Sequence, residues 1–255
     1  MASDRKILRI GTVAEGVTDV VVIDSIVSLL ASNSKKDYVL SHIQPEFDAI
    51  DNQWSPGGWG NVYRWCSEKT DLFGSIDLNP FLSNFDILII HLDIDVCQKK
   101  YSDYEISPAD DDLTLPISVS CSKTSCSYSF PCSMVDYTGK LLLSWCKTTQ
   151  IPPNIIFCLP SKSMEAWIVA SLPAQEPFFN AKTANRAKKQ MMANLECTLE
   201  PDKYFSRMKK EGRLEKKEQK YKEYSSVFSA NWSVVKNHCY MAKKFEDDIV
   251  EKLKN

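Results

Sequence analysis

Two aspartates follow a long apolar run near the middle of the chain. Residues 86–96 read DILIIHLDIDV, so Asp93 and Asp95 end an aliphatic stretch of the kind found in strands covered on both faces. Because side chains alternate along a strand, the two carboxylates are expected on one side, roughly 6 to 7 Å apart at their Cα atoms. Carboxylates this close repel each other unless a cation or proton lies between them, and their oxygens favour Mg²⁺ or Mn²⁺. The alternative interpretation is an aspartate-rich turn.

Further carboxylates follow two other apolar segments. Glu15 and Asp19 come after a predicted strand at 6–13, and Glu165 comes after one at 154–159. If these strands run parallel, all the carboxylates arrive at one edge of the sheet, where open parallel sheets bind ligands. Such a cluster is costly unless divalent cations neutralise it. The alternative for Asp19 and Glu165 is that each lies in the first turn of a helix, where the helix dipole favours negative charge.

A histidine lies close to the aspartate pair in the sequence. His91 precedes Asp93 by two residues, on the same side of the predicted strand, so it could support the carboxylates. We interpret it instead as a hydrogen-bonded core histidine.

The order of the elements predicts the fold class. Strands are expected at 6–13, 37–43, 86–96 and 154–159, and helices at 20–30, 61–73, 137–147 and 160–172. This alternation predicts an α/β, Rossmann-like fold with a mostly parallel sheet flanked by helices. The catalytic domain is expected to cover residues 1–175, and residues 176–255 form a helical C-terminal extension packed on it, with one helix over 232–253.

An insertion interrupts the alternation at about residues 97–136. Its polar composition predicts a lid or substrate wall, with Asp110–Asp112 in a solvated loop. Three cysteines have the spacing C-x4-C-x5-C, which matches zinc sites poorly, so ordinary thiols are the preferred interpretation for Cys121, Cys126 and Cys132.

Composition limits the environment and the partners. The 31 basic and 33 acidic residues give a net charge of −2, so any nucleic-acid partner needs a local basic patch. No apolar run reaches the ~18 to 20 residues of a membrane span, and the charged N-terminus does not resemble a signal peptide. Nine scattered cysteines fit reduced thiols. These features predict a cytoplasmic protein with no membrane partner.

Three acidic motifs together resemble the Toprim domain shared by topoisomerases, DnaG-type primases and OLD-type nucleases. The matching segments are AEGVTD with Glu15 and Asp19, LDID with Asp93 and Asp95, and PSKSMEAW with Glu165. The last is similar to the third acidic motif of small stand-alone Toprim proteins of bacterial defence systems. The resemblance spans about residues 6–172. It implies a compact fold with a parallel four-stranded sheet, and phosphodiester chemistry with Mg²⁺ or Mn²⁺.

The resemblance also implies a role for each acidic residue. Asp93 and Asp95 would hold a divalent ion, with Glu15 beside it as a further metal ligand or as the general base for water. Asp19 and Glu165 would complete a second metal position.

Lysines are the candidates for neutralising charge on the reacting phosphate. By resemblance this residue is Lys162 in the third motif or a lysine of a basic run at 207–224, which has eight basic residues against four acidic. The same run supplies the candidate nucleic-acid-binding residues Lys216, Lys217 and Lys220. A solvated helix with Glu and Lys pairs is an equally good interpretation of it.

Among the activities of the family, the sequence favours a nuclease. Its 255 residues leave little room for the cleavage domain of a topoisomerase, and no zinc module of a primase is visible. It also lacks a phosphate-binding loop, so an ATPase would be a separate partner. The expectation is a metal-dependent endonuclease acting on DNA or RNA, including tRNA, as the effector of an anti-phage defence system and as a candidate homo-oligomer. The alternative is a non-catalytic Toprim scaffold, or a sensor or partner-binding subunit.

Overall fold

The computed structural model describes residues 7–117, 133–161, 163–171 and 218–254. In these ranges the strands are β1 (Leu8–Val13), β2 (Tyr38–Gln44), β3 (Phe47–Asp48), β4 (Gln53–Trp54), β5 (Ile87–His91) and β6 (Ile155–Cys158). The α-helices are α1 (Val17–Asn33), α2 (Trp59–Asp71), α3 (Ser133–Trp145), α4 (Met164–Ser171), α5 (Glu218–Ala230), α6 (Trp232–His238) and α7 (Tyr240–Leu253). Short 3-10 helices include Ile94–Gln98 and Tyr101–Tyr104.

Four strands form one sheet in the order β2-β1-β5-β6, and every neighbouring pair is parallel. Helices follow the strands and cover the sheet, because parallel connections must cross over one of its faces. The predicted α/β class and parallel four-stranded sheet are therefore confirmed.

Strand β5 lies inside the sheet, between β1 and β6, and all five of its residues are buried. Its aliphatic run, Ile87–Ile90, packs on both faces of the sheet, as a continuous apolar strand must. Pairing with β1 ends at Val13 and Ile90, while pairing with β6 continues to His91 and Cys158. Beyond that point the chain leaves the sheet and turns into a 3-10 helix.

The C-terminal helices pack on this core. Tyr221, Phe228 and Trp232 are buried, and α5 packs mainly against α1 while α6 and α7 contact α4 and β6. The single helix predicted over 232–253 is wrong, because the chain leaves helical geometry at Cys239 between α6 and α7. The predicted domain boundary at residue 175 lies outside the described residues and stays a prediction.

The acidic loop of the insertion is solvated at Asp110 and Asp111, as predicted, but not at Asp112. The Asp112 side chain is only 2% exposed; it contacts Lys147 Nζ at 3.0 Å and accepts a hydrogen bond from Tyr63 Oη at 2.8 Å. Its neighbour Asp111 also pairs with Lys147 but is 71% exposed. The loop is thus joined to the end of α3 and to α2. Residues 118–132, with Cys121, Cys126 and Cys132, lie outside the described part.

Among the helices of the described ranges, none is long and apolar enough to cross a membrane.

Candidate metal centre

Three side chains with metal-binding atoms converge at the carboxyl edge of the sheet. Glu15 follows β1, His91 ends β5, and Asp93 lies two residues further on. One ligand atom from each lies within 4.8 Å of the others. The edge is the one predicted for ligand binding, because β1 and β5 are adjacent and parallel.

Backbone groups fix the two carboxylates. The Asp93 N–H donates to Glu15 Oε1 at 2.7 Å, and the Met164 N–H at the start of α4 donates to Asp93 Oδ1 at 3.2 Å. The backbone carbonyl of Glu15 accepts from Gly58 N at 2.5 Å. Four separate segments therefore position the pair, and the donors of these bonds are all backbone amides.

His91 has no exposed surface, and neither ring nitrogen makes a hydrogen bond within the described residues. Its Nε2 lies 3.2 Å from Asp93 Oδ1, and its Nδ1 lies 3.9 Å from Asp19 Oδ2. The first contact is short enough for a hydrogen bond but lacks the angle for one, because a hydrogen bond requires the N–H to point at the acceptor oxygen. The prediction of a hydrogen-bonded core histidine is wrong: the residue is buried, but it is not hydrogen-bonded there.

Electrostatics oppose the ionised form of Glu15. Burial raises its pKa well above the ordinary value, and the negative charge of Asp93 raises it further, with a smaller contribution from Asp19. His91 and the hydrogen bond from the Asp93 backbone lower it in part. Negative charges gathered in a buried place are stabilised when a cation binds among them.

The donor set fits a divalent metal ion. It combines two carboxylates with an imidazole whose nitrogens are buried without hydrogen bonds in the described chain. A buried polar group without a partner costs about 1–3 kcal/mol, a cost that a bound ion would remove. These three residues could hold a divalent metal ion, and His91 was not among the predicted ligands.

Asp19 and Glu165 lie outside the three-residue group of the centre. Both are buried and both lie in the first turn of a helix, as the alternative interpretation had it. The Tyr221 hydroxyl of α5 donates to Glu165 Oε1 at 2.9 Å. Burial and the charges of Glu165 and Asp19 raise the pKa of Tyr221 far above its usual range. A tyrosine thus contacts one of the two carboxylates predicted to hold a second metal.

Asp95 does not share a strand face with Asp93. Because β5 ends at His91, Asp95 lies in the first turn of the 3-10 helix Ile94–Gln98, and its carboxylate contacts Lys99 Nζ at 3.1 Å. The side chain is 48% exposed and is outside the three-residue group at the centre. Strand alternation, on which the predicted same-side placement of the two aspartates rested, therefore does not apply to them.

Lys99 brings positive charge to the edge of the centre. Asp95 raises the pKa of Lys99 through charge and a hydrogen bond, and Glu15 adds a smaller contribution. Lys99 was not among the residues predicted from the sequence, although its spacing of four residues from Asp95 is a signal for such an ion pair. Tyr221 carried no comparable signal, because it lies 56 residues from Glu165 in the chain.

The loop before α2 closes one side of the centre. Gly58 has φ = 102°, and a Cβ there would collide with the Tyr104 hydroxyl, so this close approach requires glycine. Burial, followed by the charge of Glu15, raises the pKa of Tyr104. Tyr104 and Lys99, which both feel the charge of Glu15, thus form a rim of the centre.

Of the predicted lysines, one lies in the described part. Lys220, on α5, is 43% exposed and pairs with Glu223 at 2.9 Å. Lys162, Lys216 and Lys217 lie outside the described residues, and their predicted roles stay predictions.

Comparisons of the chain with protein-family models, with curated proteins and with solved structures find no match.

Proposed function

We propose that the protein is a divalent-metal-dependent endonuclease that hydrolyses phosphodiester bonds of DNA or RNA at the Glu15, His91 and Asp93 centre. The observation that carries the proposal is the convergence of these three side chains at the sheet edge, with ligand atoms within 4.8 Å of one another. The motif resemblance to Toprim nucleases supports the same reaction. In that resemblance Mg²⁺ or Mn²⁺ is the cofactor.

The bound ion would supply charge neutralisation at the phosphate and activation of a water molecule. Around it, Asp93 is the carboxylate held by Met164 N, and Glu15 is held by the Asp93 backbone. In this proposal Glu15 accepts the proton of the attacking water. Lys99, at the rim, neutralises charge on the phosphate oxygens, a task that the sequence had given to Lys162 or to the 216–220 lysines.

A two-metal arrangement with Asp19 and Glu165 belongs to the same proposal but requires Tyr221 to leave Glu165. Because Tyr221 belongs to α5, movement of that helix would open the second position. A separate ATPase, as in full OLD systems, is the proposed partner that controls the enzyme in anti-phage defence.

The test is cleavage of labelled single-stranded DNA, duplex DNA, RNA and tRNA by the purified protein with Mg²⁺ or Mn²⁺. Asp93→Asn and Glu15→Gln keep the shape of each side chain but remove its charge, and we expect rates at least about 100-fold lower. Asp247→Asn is the matched control, because Asp247 is 59% exposed and pairs with Lys243 on the surface of α7. Cleavage by Asp93→Asn at the wild-type rate would refute the assignment of the centre. No cleavage of any substrate by wild-type protein that binds metal would favour the scaffold or sensor role.

A further inference from the structure

His91 is the one buried side chain at the centre whose polar atoms lack hydrogen bonds in the described residues. It has no exposed surface, and both ring nitrogens are without hydrogen-bond partners. A core histidine normally donates from one nitrogen and accepts at the other. The ring nitrogens therefore lie where a further group, such as a metal ion, could bind to them.

The two nitrogens face different carboxylates. Nε2 is 3.2 Å from Asp93 Oδ1 without hydrogen-bond geometry, and Nδ1 is 3.9 Å from Asp19 Oδ2. Two ligands of one ion at bond lengths of about 2.1 Å lie roughly 3 Å apart, so the first contact has the spacing of neighbouring ligands. A carboxylate beside the other nitrogen is the usual arrangement that orients a metal-binding histidine.

We infer that His91 binds the metal of this centre through Nε2, that Asp19 positions it from the Nδ1 side, and that the nitrogen ligand makes the centre select Mn²⁺ and related transition-metal ions over Mg²⁺. The inference rests on the metal centre of the proposed function and specifies its ion. At this ion Asp19 acts as a positioning residue, in addition to the role proposed for it at a second metal.

The selectivity follows from ligand chemistry. Mg²⁺ prefers oxygen ligands and keeps its water, so an imidazole adds little to its binding. First-row transition ions accept imidazole nitrogen as a ligand, so an imidazole adds to their affinity for a site that also contains carboxylates. Glu15 and Asp93 alone would bind either class of ion. The nitrogen of His91 raises the affinity for transition-metal ions relative to that for Mg²⁺.

The first experiment is pulsed EPR of wild-type protein loaded with Mn²⁺. Mn²⁺ is the cleaner probe because the nine cysteines could also bind Zn²⁺ or Co²⁺. We expect coupling of the bound ion to one imidazole nitrogen, lost in His91→Asn and retained in His42→Asn. A wild-type spectrum without nitrogen coupling, or protein that binds no Mn²⁺, would overturn the inference even if the variants do not fold.

The second experiment is titration calorimetry with Mn²⁺ and with Mg²⁺. In His91→Asn we expect Mn²⁺ affinity to fall about 10- to 100-fold while Mg²⁺ affinity changes much less. In Asp19→Ala we expect a fall in Mn²⁺ affinity of about 10-fold, partly restored in Asp19→Asn, which keeps an acceptor oxygen. An unchanged ratio of Mn²⁺ to Mg²⁺ affinity in His91→Asn would contradict the inference.

These measurements separate the inference from the proposed function, because none of them uses cleavage. Nitrogen coordination without nuclease activity would refute only the function. Cleavage supported equally by Mg²⁺, with no nitrogen coupling, would refute only the inference.

Discussion

Lys99 shows how a single exposed side chain can matter more for reactivity than for stability. Its Nζ contacts Asp95 at 3.1 Å, and both side chains are nearly half exposed, so the pair contributes little to the free energy of unfolding. Its position near Glu15 gives it a larger effect on the reaction. A positive charge near the reacting phosphate stabilises the negative charge that develops on the phosphate oxygens.

Replacement of this lysine is the first prediction. We expect Lys99→Met to lower the cleavage rate by about 10- to 1000-fold and to leave the melting temperature within about 2 °C of the wild type. Labelled-oligonucleotide assays and thermal melts measure the two effects. Lys243→Met is the control, since Lys243 forms a similar ion pair, with Asp247, four residues along a helix. Equal rates for Lys99→Met and the wild type would remove Lys99 from the mechanism.

At the scale of elements, ion pairs connect the loop around residue 112 to the end of α3. Lys147 lies just after α3 and contacts two neighbouring aspartates of very different exposure, 2% for Asp112 and 71% for Asp111. The more deeply buried aspartate should contribute more to the free energy of unfolding. Removing one side of a buried ion pair leaves the other charge without compensation.

The second prediction compares these neighbours. We expect Asp112→Ala to lower the free energy of unfolding by about 3 kcal/mol, because Lys147 and Tyr63 both lose a partner. Asp111→Ala should lower the free energy of unfolding far less, because water replaces the lost contact. Urea titrations of both variants provide the comparison. Similar losses for the two would show that exposure does not govern this cluster.

Helix α5 is connected to α4 by a buried hydrogen bond. Tyr221 donates to Glu165 at 2.9 Å, and both side chains belong to residues that are 3% exposed. Tyr38 makes a bond of the same chemistry to Asp24 at 2.8 Å, where both residues are only partly buried.

The third prediction uses this contrast. We expect Tyr221→Phe to lower the free energy of unfolding by about 1–3 kcal/mol, because a buried carboxylate loses a donor. Tyr38→Phe should cost about 0.5–1 kcal/mol, since water reaches that site. Urea titrations measure both. If Tyr221→Phe were neutral, α5 would not be held through Glu165.

At the scale of the whole molecule, several tyrosines are kept neutral by the fold. Burial raises the pKa of Tyr101 to about 12, and burial together with Asp24 raises that of Tyr38 to about 12. In an unfolded chain the value is about 10. The neutral phenol is thus favoured in the folded state. Its contribution to stability is complete below about pH 10 and is lost as the pH rises through about 12.

The fourth prediction concerns this alkaline range. We expect the free energy of unfolding to fall steeply between about pH 10 and about pH 12, with Tyr101 contributing about 2–3 kcal/mol of the loss. Tyr101→Phe loses hydrogen bonds with Leu113 and Trp145, so it should be less stable at pH 8 yet show a shallower decline. Urea titrations between about pH 8 and about pH 11.5 test this. Parallel pH profiles for the two proteins would contradict it.

The sequence predicted the frame of the molecule because its strands are continuous aliphatic runs followed by short turns and helices. Ile87–Ile90 is such a run, and its burial between β1 and β6 follows from composition alone. The placement of Glu15 next to Asp93 also followed, since adjacent parallel strands end at one edge.

The details of the centre depended on where β5 ends. The sequence of His91–Asp95 continues the alternation of a strand, but a strand continues only where its backbone pairs with neighbouring strands. Pairing with β1 has already stopped at Ile90, and the backbone turns into a 3-10 helix that begins at Ile94 and contains Asp95. Tyr221 was equally inaccessible to prediction, because a contact across 56 residues leaves no local pattern.

The hydrogen bond from the Asp93 backbone to Glu15 makes the position of the Glu15 carboxylate depend on the length of the chain between Ile90 and Asp93. Glu15 lies two residues past Val13 and Asp93 three residues past Ile90, the last matched positions of β1 and β5. An insertion or deletion of one amino acid between Ile90 and Asp93 would present a different amide to Glu15, even if the aliphatic core still assembled. Length variation at this short connection would therefore separate folding from metal binding.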